Sequence, residues 1–451
     1  MKETMNRMNE YAVQSEAVCR KNDHIDPRLY EEFGVNRGLR DENGKGVLTG
    51  LTKISKIVSS RVEDGQKVPC DGELWYRGYK VEKLIGDLGE EQHGFERIAY
   101  LLLMGEMPSE EEERQFRDMI GRCRTLPANF TRDVIMKAPS EDIMNSMTRS
   151  ILTLATYDPD IKDNSVSHSL MQCIQLISQF PLLAVYAYHA YNHYEKNQSM
   201  YVHNPDPKLS TAENLLMMLR PDQHYTPVEA KVLDTALILH MEHGGGNNST
   251  FTTRVVTSTG SDTYSTIAAA MSSLKGPKHG GANIKVMDMM DHIRANVKDY
   301  ADKEEIASYL EKIINKQAFD QKGLIYGMGH AVYTLSDPRE RVFKQYVKQL
   351  ASEKGREKDL QLYENVEEIA PKLIAAHRNT VKGVSPNVDF YSGFVYDMLG
   401  IPRELYTAIF AVARVVGWSA HRIEELICTD KIIRPAYMSV MEEKETPAME
   451  R

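Results

Sequence analysis

The chain has 451 residues, 42% hydrophobic and 26% charged, with 55 Lys plus Arg against 64 Asp plus Glu, a formal net charge of −9. Its 28 Gly and 18 Pro are close to average usage, which excludes collagenous, low-complexity and largely disordered chains. The length sets a prior of two or three domains around a large core, and the mild acidity argues against a nucleic-acid or anionic-membrane surface as the main business.

In chain order, the N-terminal MKETMNRMNEYAVQSEA has no apolar h-region and already contains acids. It reads as neither a secretory signal nor an organelle presequence. Val47–Tyr76 holds short β-branched runs (Ile54, Ile57, Val58) and Asp71-Gly72 ahead of Glu73-Leu74-Trp75-Tyr76. This predicts a small hairpin turning at Asp71-Gly72. Ile98–Met104 is apolar nearly all round, the mark of a helix buried inside a bundle. Ser109 followed by Glu112 predicts a capping box, with the acidic run Glu110–Glu113 as a solvated first turn facing the helix dipole. The apolar stretches Leu176–Tyr188 and Ala408–Trp418 are interrupted by Pro181 and Arg414. They fall short of the ~18 uninterrupted apolar residues of a membrane span. Ile423–Cys428 has the same buried-helix character. Glu195–Ser210 and Ser352–Asp359 read as surface connections. Strands do not alternate regularly with helices, so the expected fold is all-α with one small N-terminal β-hairpin, not a doubly wound sheet. The cysteines Cys19, Cys70, Cys123, Cys173 and Cys428 stand far apart, none at metal-ligand spacing. They read as reduced thiols of a cytosolic protein.

Four clusters combine glycine with ionisable groups: His243-Gly244-Gly245-Gly246-Asn247-Asn248-Ser249-Thr250 before Arg254; Gly276-Pro277-Lys278-His279-Gly280-Gly281-Ala282-Asn283; Gly327-Met328-Gly329-His330 before Asp337-Pro338-Arg339; and Pro386-Asn387-Val388-Asp389-Phe390-Tyr391-Ser392-Gly393. Three histidines and an aspartate on glycine-bearing breakpoints between helices suggest one site assembled from several elements. Other readings are weaker. His240 and His243 form an i, i+3 pair that lacks a third zinc ligand at short spacing, so no metal is expected. The His243-Gly-Gly-Gly run lacks the Gly-x-Ser-x-Gly elbow that an esterase oxyanion loop needs. Gly327-x-Gly329 lacks the third glycine of a dinucleotide fingerprint. Arg414 on an apolar helix needs an anionic partner, either an internal carboxylate or a substrate carboxylate.

The second, third and fourth clusters, in this order, resemble citrate synthase. So do Ala413-Arg414-Val415-Val416-Gly417-Trp418-Ser419-Ala420-His421, Ile433-Arg434-Pro435, Trp75-Tyr76-Arg77-Gly78-Tyr79 and Asp206-Pro207-Lys208-Leu209-Ser210-x-x-Glu213-Asn214. The resemblance runs from about Thr49 to Pro435. It implies an all-α homodimer whose large domain (46–283 and 401–451) and smaller domain (284–400) close over the substrates, with 1–45 as an N-terminal extension. The implied reaction joins acetyl-CoA, oxaloacetate and water to give citrate and CoA, in the cytoplasm, with no cofactor beyond the substrates. The implied roles are Asp389 as base, His279 as stabiliser of the enol or enolate, and His330 as acid towards the oxaloacetate carbonyl. Arg339, Arg414 and Arg434 would hold the carboxylates, Arg434 from the partner subunit, with His243 as a further oxaloacetate contact. Leu324, Gly327, Met328, Gly329, Asn387 and Lys382 are nominated for CoA.

The chemistry of these residue types agrees. A thioester α-proton is a very weak acid, and a carboxylate removes it only where the developing enolate is stabilised in the same step. Guanidinium forks suit the two carboxylates of oxaloacetate. The chain departs from the family in three places: Ala331 follows His330 where many members have arginine, Met328 replaces a more usual aromatic or small residue, and the first cluster has a longer glycine run, which bears on His243. A near neighbour is 2-methylcitrate synthase, which uses propionyl-CoA and differs by one methylene, worth ~1–3 kcal/mol in an apolar pocket. A catalytically inactive regulatory relative would have no reason to keep Asp389, His279, His330 and three arginines together.

Overall fold

A computed structural model of the chain describes residues 2–41, 44–89, 93–329, 332–333, 335–378, 384–428 and 431–443. Internal contacts divide it into two units, Met1–Leu51 and Thr52–Arg451. The first carries the helices Lys2–Asn22 and Arg28–Glu32. The second is helical apart from one sheet among the described residues, with strands β1 (Ser55–Glu63), β2 (Gln66–Tyr76) and β3 (Tyr79–Lys80) in the antiparallel order β1-β2-β3.

The hairpin exists, but its turn is not where the sequence suggested. Glu63 pairs with Gln66, so the two-residue turn is Asp64-Gly65, with φ of 50° and 77°. Asp-Gly favours this turn because both central residues adopt positive φ. Asp71-Gly72 instead lies inside β2. Gly72 is needed for close approach: a Cβ there would stand 2.2 Å from the Ser336 carbonyl oxygen and 2.6 Å from the Tyr333 ring. Its N–H donates to Ser336 Oγ at 3.1 Å, and Ser336 Oγ donates to Asp71 Oδ1 at 3.0 Å. Arg341 donates to the same Asp71 oxygen at 2.7 Å. The sheet is thereby fastened to the segment that leads into Arg339.

Ser109 forms the capping box read from the sequence. Ser210 with Glu213 and Thr226 with Glu229 start the helices Thr211–Leu219 and Pro227–His240 in the same way, each cap worth ~0.5–2 kcal/mol. Pro181 does not interrupt its helix, which runs continuously over 31 residues from Val166 to Lys196. Proline in a helix interior costs ~3 kcal/mol or more. Burial offsets this, since Leu176, Ile177, Phe180, Leu183 and Val185 are at most 1% exposed and each such side chain contributes ~1.5–3 kcal/mol. By length and composition this helix could cross a membrane, yet most of it is buried inside the protein. Ala408–Trp418 and Ile423–Cys428 belong to one helix, Tyr406–Cys428. It packs against Val166–Lys196, Gly94–Met104, Pro227–His240 and Asn248–Thr257, which is why Arg414 is enclosed. The helix Val388–Met398 packs against Pro338–Glu353 and Ala282–Asn296, bringing Asp389 near the helix of Arg339.

Candidate active site

Asp389 sits in the first turn of Val388–Met398, and the Asn387 side chain caps that helix by accepting the Asp389 N–H at 3.0 Å. The other end of the Asn387 amide donates to the Gly329 carbonyl at 2.7 Å. Gly329 N–H donates to the Ser385 carbonyl at 2.7 Å, and Asn387 N–H to the Gly327 carbonyl at 2.9 Å. Gly327 has φ of 78°, and a Cβ there would press on Phe390 and Val286 at 2.9 Å. The third and fourth glycine clusters thus form one hydrogen-bonded unit, with Asn387 joining the segment before His330 to the turn that presents Asp389. His330 itself and Lys382 lie outside the described residues.

The surface of Asp389 is partly accessible, but protein packs closely around its carboxyl. That burial raises its pKa to about 6, against the opposing pull of Arg339; Asp337 adds to the rise and Arg414 opposes it. Arg339 is 3% exposed and forks onto Asp337, with Nε 3.0 Å from Oδ1 and Nη2 2.7 Å from Oδ2. Burial alone would lower the Arg339 pKa, but the Asp337 charge and hydrogen bonds raise it, so this guanidinium stays charged.

Arg414 differs. It is 1% exposed and has no carboxylate in direct hydrogen-bond contact among the described residues. Its Nε donates to the His240 carbonyl at 2.6 Å, its guanidinium carbon lies 4.7 Å from the Phe410 ring centroid, and Nη1 has no partner among the described residues. Burial lowers its pKa to about 10, against the attraction of Glu242 and with the repulsion of Arg339. A buried, incompletely bonded cation of this kind is suited to an incoming carboxylate. Of the two partners the sequence left open, an internal carboxylate or a ligand, the internal ones reach Arg414 as longer-range charge, Glu242 first and Asp389 more weakly.

Glu242 is fully buried and fixes the first glycine cluster. Its Oε1 accepts the Gly244 N–H at 2.5 Å, the Ser55 hydroxyl at 2.8 Å and His421 Nε2 at 3.0 Å. Burial would raise this carboxyl, but His421, Arg414 and Ser55 together bring it down to about 2. Arg254 donates to His421 Nδ1 and pairs with Glu425 at 2.8 Å and with Glu424. Since a guanidinium only donates, Nδ1 accepts and Nε2 carries the proton given to Glu242. His243, next in the chain, is 6% exposed and meets Tyr333 edge-on at 5.4 Å.

His279 Nε2 lies 3.0 Å from Ser249 Oγ. Ser249 is fully buried and also accepts the Trp418 indole N–H at 3.1 Å. Its single proton has two takers, His279 Nε2 and Asn247 Oδ1 at 3.0 Å. Given to His279, that proton makes Nε2 an acceptor and leaves the ring hydrogen on Nδ1, free to donate to a ligand. Burial, reinforced by the charge of Arg414, lowers the His279 pKa to about 4. At neutral pH the ring is therefore an uncharged donor. Arg414 is the common electrostatic neighbour of His279, Asp389 and His240, so the buried site residues converge on it.

Leu324 is 42% exposed at the start of the segment that holds Gly327, Met328 and Gly329, and Met328 bridges to Pro386. Arg434 is exposed, whereas Arg339 and Arg414 are buried, and the preceding Ile433 N–H donates to Ser258 Oγ at 3.0 Å. Sequence reasoning named Ser249, Asp337 and Trp418 within motifs without giving them a role, and it missed Glu242. Trp418 lay in a quoted motif, but its partner Ser249 is 169 residues away, a pairing that no local pattern announces.

A family sequence model described as "Citrate synthase, C-terminal domain" matches residues 40–436. The chain is 34% identical to a citrate synthase of Synechocystis over 82% of its own length and 85% of that protein's. It is 32% identical to 2-methylcitrate synthase 1 of Corynebacterium glutamicum over 92% of this chain and 98% of that one. Among solved structures, the Thermoplasma acidophilum citrate synthase in ternary complex with carboxymethyl coenzyme A and oxaloacetate superposes with a TM-score of 0.73 at 30% identity, covering 90% of this chain and 97% of that one.

Proposed function

The chain belongs to the citrate synthase family, acyltransferases that convert the acyl group to alkyl on transfer, and from that premise we propose how its residues perform the condensation of acetyl-CoA with oxaloacetate. Oxaloacetate enters first, one carboxylate meeting the unfilled Nη1 of Arg414 beside Arg339. The Asp389 carboxylate, made a stronger base by burial, takes a methyl proton from acetyl-CoA. Neutral His279 donates from Nδ1 to the thioester oxygen as negative charge develops there, an uncharged donor fixed in advance by Ser249. The enol carbon attacks the ketone of oxaloacetate, whose oxygen takes its proton from His330. Water then cleaves the citryl thioester to give citrate and CoA. No metal or further cofactor has a step in this sequence.

The observation that carries this reading is the opposed tuning of two groups around one arginine, a carboxyl raised to about 6 and an imidazole lowered to about 4. These shifts invert the ordinary order of a carboxyl and an imidazole, and at neutral pH they leave an ionised base beside an uncharged donor. CoA is assigned to Leu324, Gly327, Met328 and Gly329, with Lys382 at its phosphates. Asn387 bonds inward and supports that segment. We place residues 284–400 in a smaller domain that closes on the larger one. The extended tail exposes Ile432, Tyr437, Met438 and Met441. Such apolar side chains on an arm fit burial against a second copy, with Arg434 entering that copy's site. The five cysteines are free thiols, which fits the reducing cytoplasm.

Release of free thiol from acetyl-CoA and from propionyl-CoA, each with oxaloacetate, tests the assignment. Higher kcat/KM with acetyl-CoA supports it. Higher kcat/KM with propionyl-CoA transfers the chain to the 2-methylcitrate branch, which two of its Corynebacterium glutamicum relatives represent.

A further inference from the structure

We propose that His240 is an additional substrate-binding residue, whose imidazole N–H donates to the oxaloacetate carboxylate held between Arg339 and Arg414. This rests on the condensation reading above and adds a contact to it. His240 ends the helix Pro227–His240 and is 0% exposed, yet neither Nδ1 nor Nε2 has a hydrogen-bond partner among the described residues. A histidine serving only the core satisfies at least one ring nitrogen, because an unpaired buried polar group costs stability. Its ring neighbours are Phe410, Phe343 and Tyr396, with centroids at 4.6, 6.2 and 6.5 Å. The only polar atom among these three side chains, the Tyr396 hydroxyl, is likewise unpartnered among the described residues.

The ring is tied to Arg414 in two ways. The His240 carbonyl accepts Arg414 Nε at 2.6 Å, and both the His240 ring and the guanidinium lie against Phe410, at 4.6 and 4.7 Å. Arg414 Nη1, also unpartnered among the described residues, belongs to the same group of unfilled donors. Unpaired buried donors beside an incompletely paired guanidinium define a carboxylate site. Burial first, then the charges of Arg339 and Arg414, push the His240 pKa well below its ordinary value, so the ring donates one neutral N–H and adds no third cation. Among the described residues no group of three His, Cys, Asp or Glu is placed to hold an ion.

The test compares His240→Phe, which keeps the ring and removes both nitrogens, with His240→Asn, which restores an N–H. Oxaloacetate Kd by calorimetry, KM for each substrate and the ligand-free melting temperature are measured together. The expected result is a roughly 10–100-fold rise in oxaloacetate Kd and KM for His240→Phe, substantial recovery in His240→Asn, and an acetyl-CoA KM within about twofold of wild type. An oxaloacetate Kd within about twofold of wild type in folded His240→Phe overturns the proposal and leaves His240 as a core residue. If His240→Phe does not fold, a crystal structure of the wild-type protein with oxaloacetate decides. A ring nitrogen within hydrogen-bond distance of a carboxylate oxygen supports the proposal, and one beyond it overturns it. Wild-type protein that binds oxaloacetate without condensing it removes the reaction assignment while leaving this binding test intact. Wild-type protein that binds no oxaloacetate overturns both.

Discussion

At the scale of single residues, burial disfavours the charged forms of the two groups proposed to react, Asp389 and His279. Asp389 holds its proton more tightly in the folded state than in the unfolded chain, near 6 against an ordinary 3.8. Its contribution to stability is therefore present below about pH 4 and is lost as pH rises through 6. Replacing it by Asn relieves a buried carboxylate. Asp389→Asn should gain on the order of 1–3 kcal/mol at pH 7 and little at pH 4, as measured by denaturant unfolding at both values. On the proposed mechanism the same residue should set the acid limb of the rate. In wild-type protein kcat/KM should fall with unit slope below about pH 6, as the base becomes protonated. His279 shifts in the opposite direction, so its folded form loses stability as pH falls from 6.5 towards 4. His279→Ala removes one preorganised donor and should lower kcat by roughly 10²–10³, with oxaloacetate affinity largely kept. A steady-state comparison with both substrates varied separates these effects.

At the scale of elements, the close approach between β2 and the segment before Arg339 is a contact that a single substitution would disturb. Gly72→Ala places a methyl group against the Ser336 carbonyl and the Tyr333 ring. Overpacking of this kind costs ~1–3 kcal/mol. The predicted outcome is a lower melting temperature together with a higher oxaloacetate KM, because the displaced segment carries Asp337 and Arg339. A drop in melting temperature with unchanged KM would separate the sheet from the site. This contact also shows what the sequence conveyed and what it hid. Local signals read correctly: Ser109 with Glu112 announced a cap, and the apolar run of Ala408–Trp418 announced a buried helix. Gly72 misled because a glycine after aspartate looks the same whether it turns the chain or admits a neighbour from residue 336. The actual turn, Asp64-Gly65, carried the same dipeptide and was passed over. The groups proposed to react stood out in the sequence because they sit on glycine-bearing breaks. Their supports, Ser249 under His279 and Glu242 under Gly244, did not, since each is defined by partners far away in sequence.

At the scale of the whole molecule, the account requires a second copy. Arg434 is exposed, unlike the buried Arg339 and Arg414. Arg434→Ala and Asp389→Ala should each be nearly inactive, since loss of an arginine leaves a substrate carboxylate unpaired at ~2–5 kcal/mol and loss of the aspartate removes the base. Co-refolded, they should recover about a quarter of wild-type activity. Random pairing makes about half the dimers mixed, and each mixed dimer has one intact site of two. Mixed dimers isolated with two tags and found inactive would place Arg434 in its own chain's chemistry or in none. The claim beneath all of these is that Asp389 takes the proton that opens carbon–carbon bond formation between acetyl-CoA and oxaloacetate. It is tested most directly by measuring CoA release from acetyl-CoA, with and without oxaloacetate, for wild-type protein and Asp389→Asn side by side at pH 8. The account predicts oxaloacetate-dependent release by the wild type and a loss of roughly 10²–10⁴ in the variant, with oxaloacetate still bound. Release independent of oxaloacetate, or equal rates in the two proteins, would contradict it.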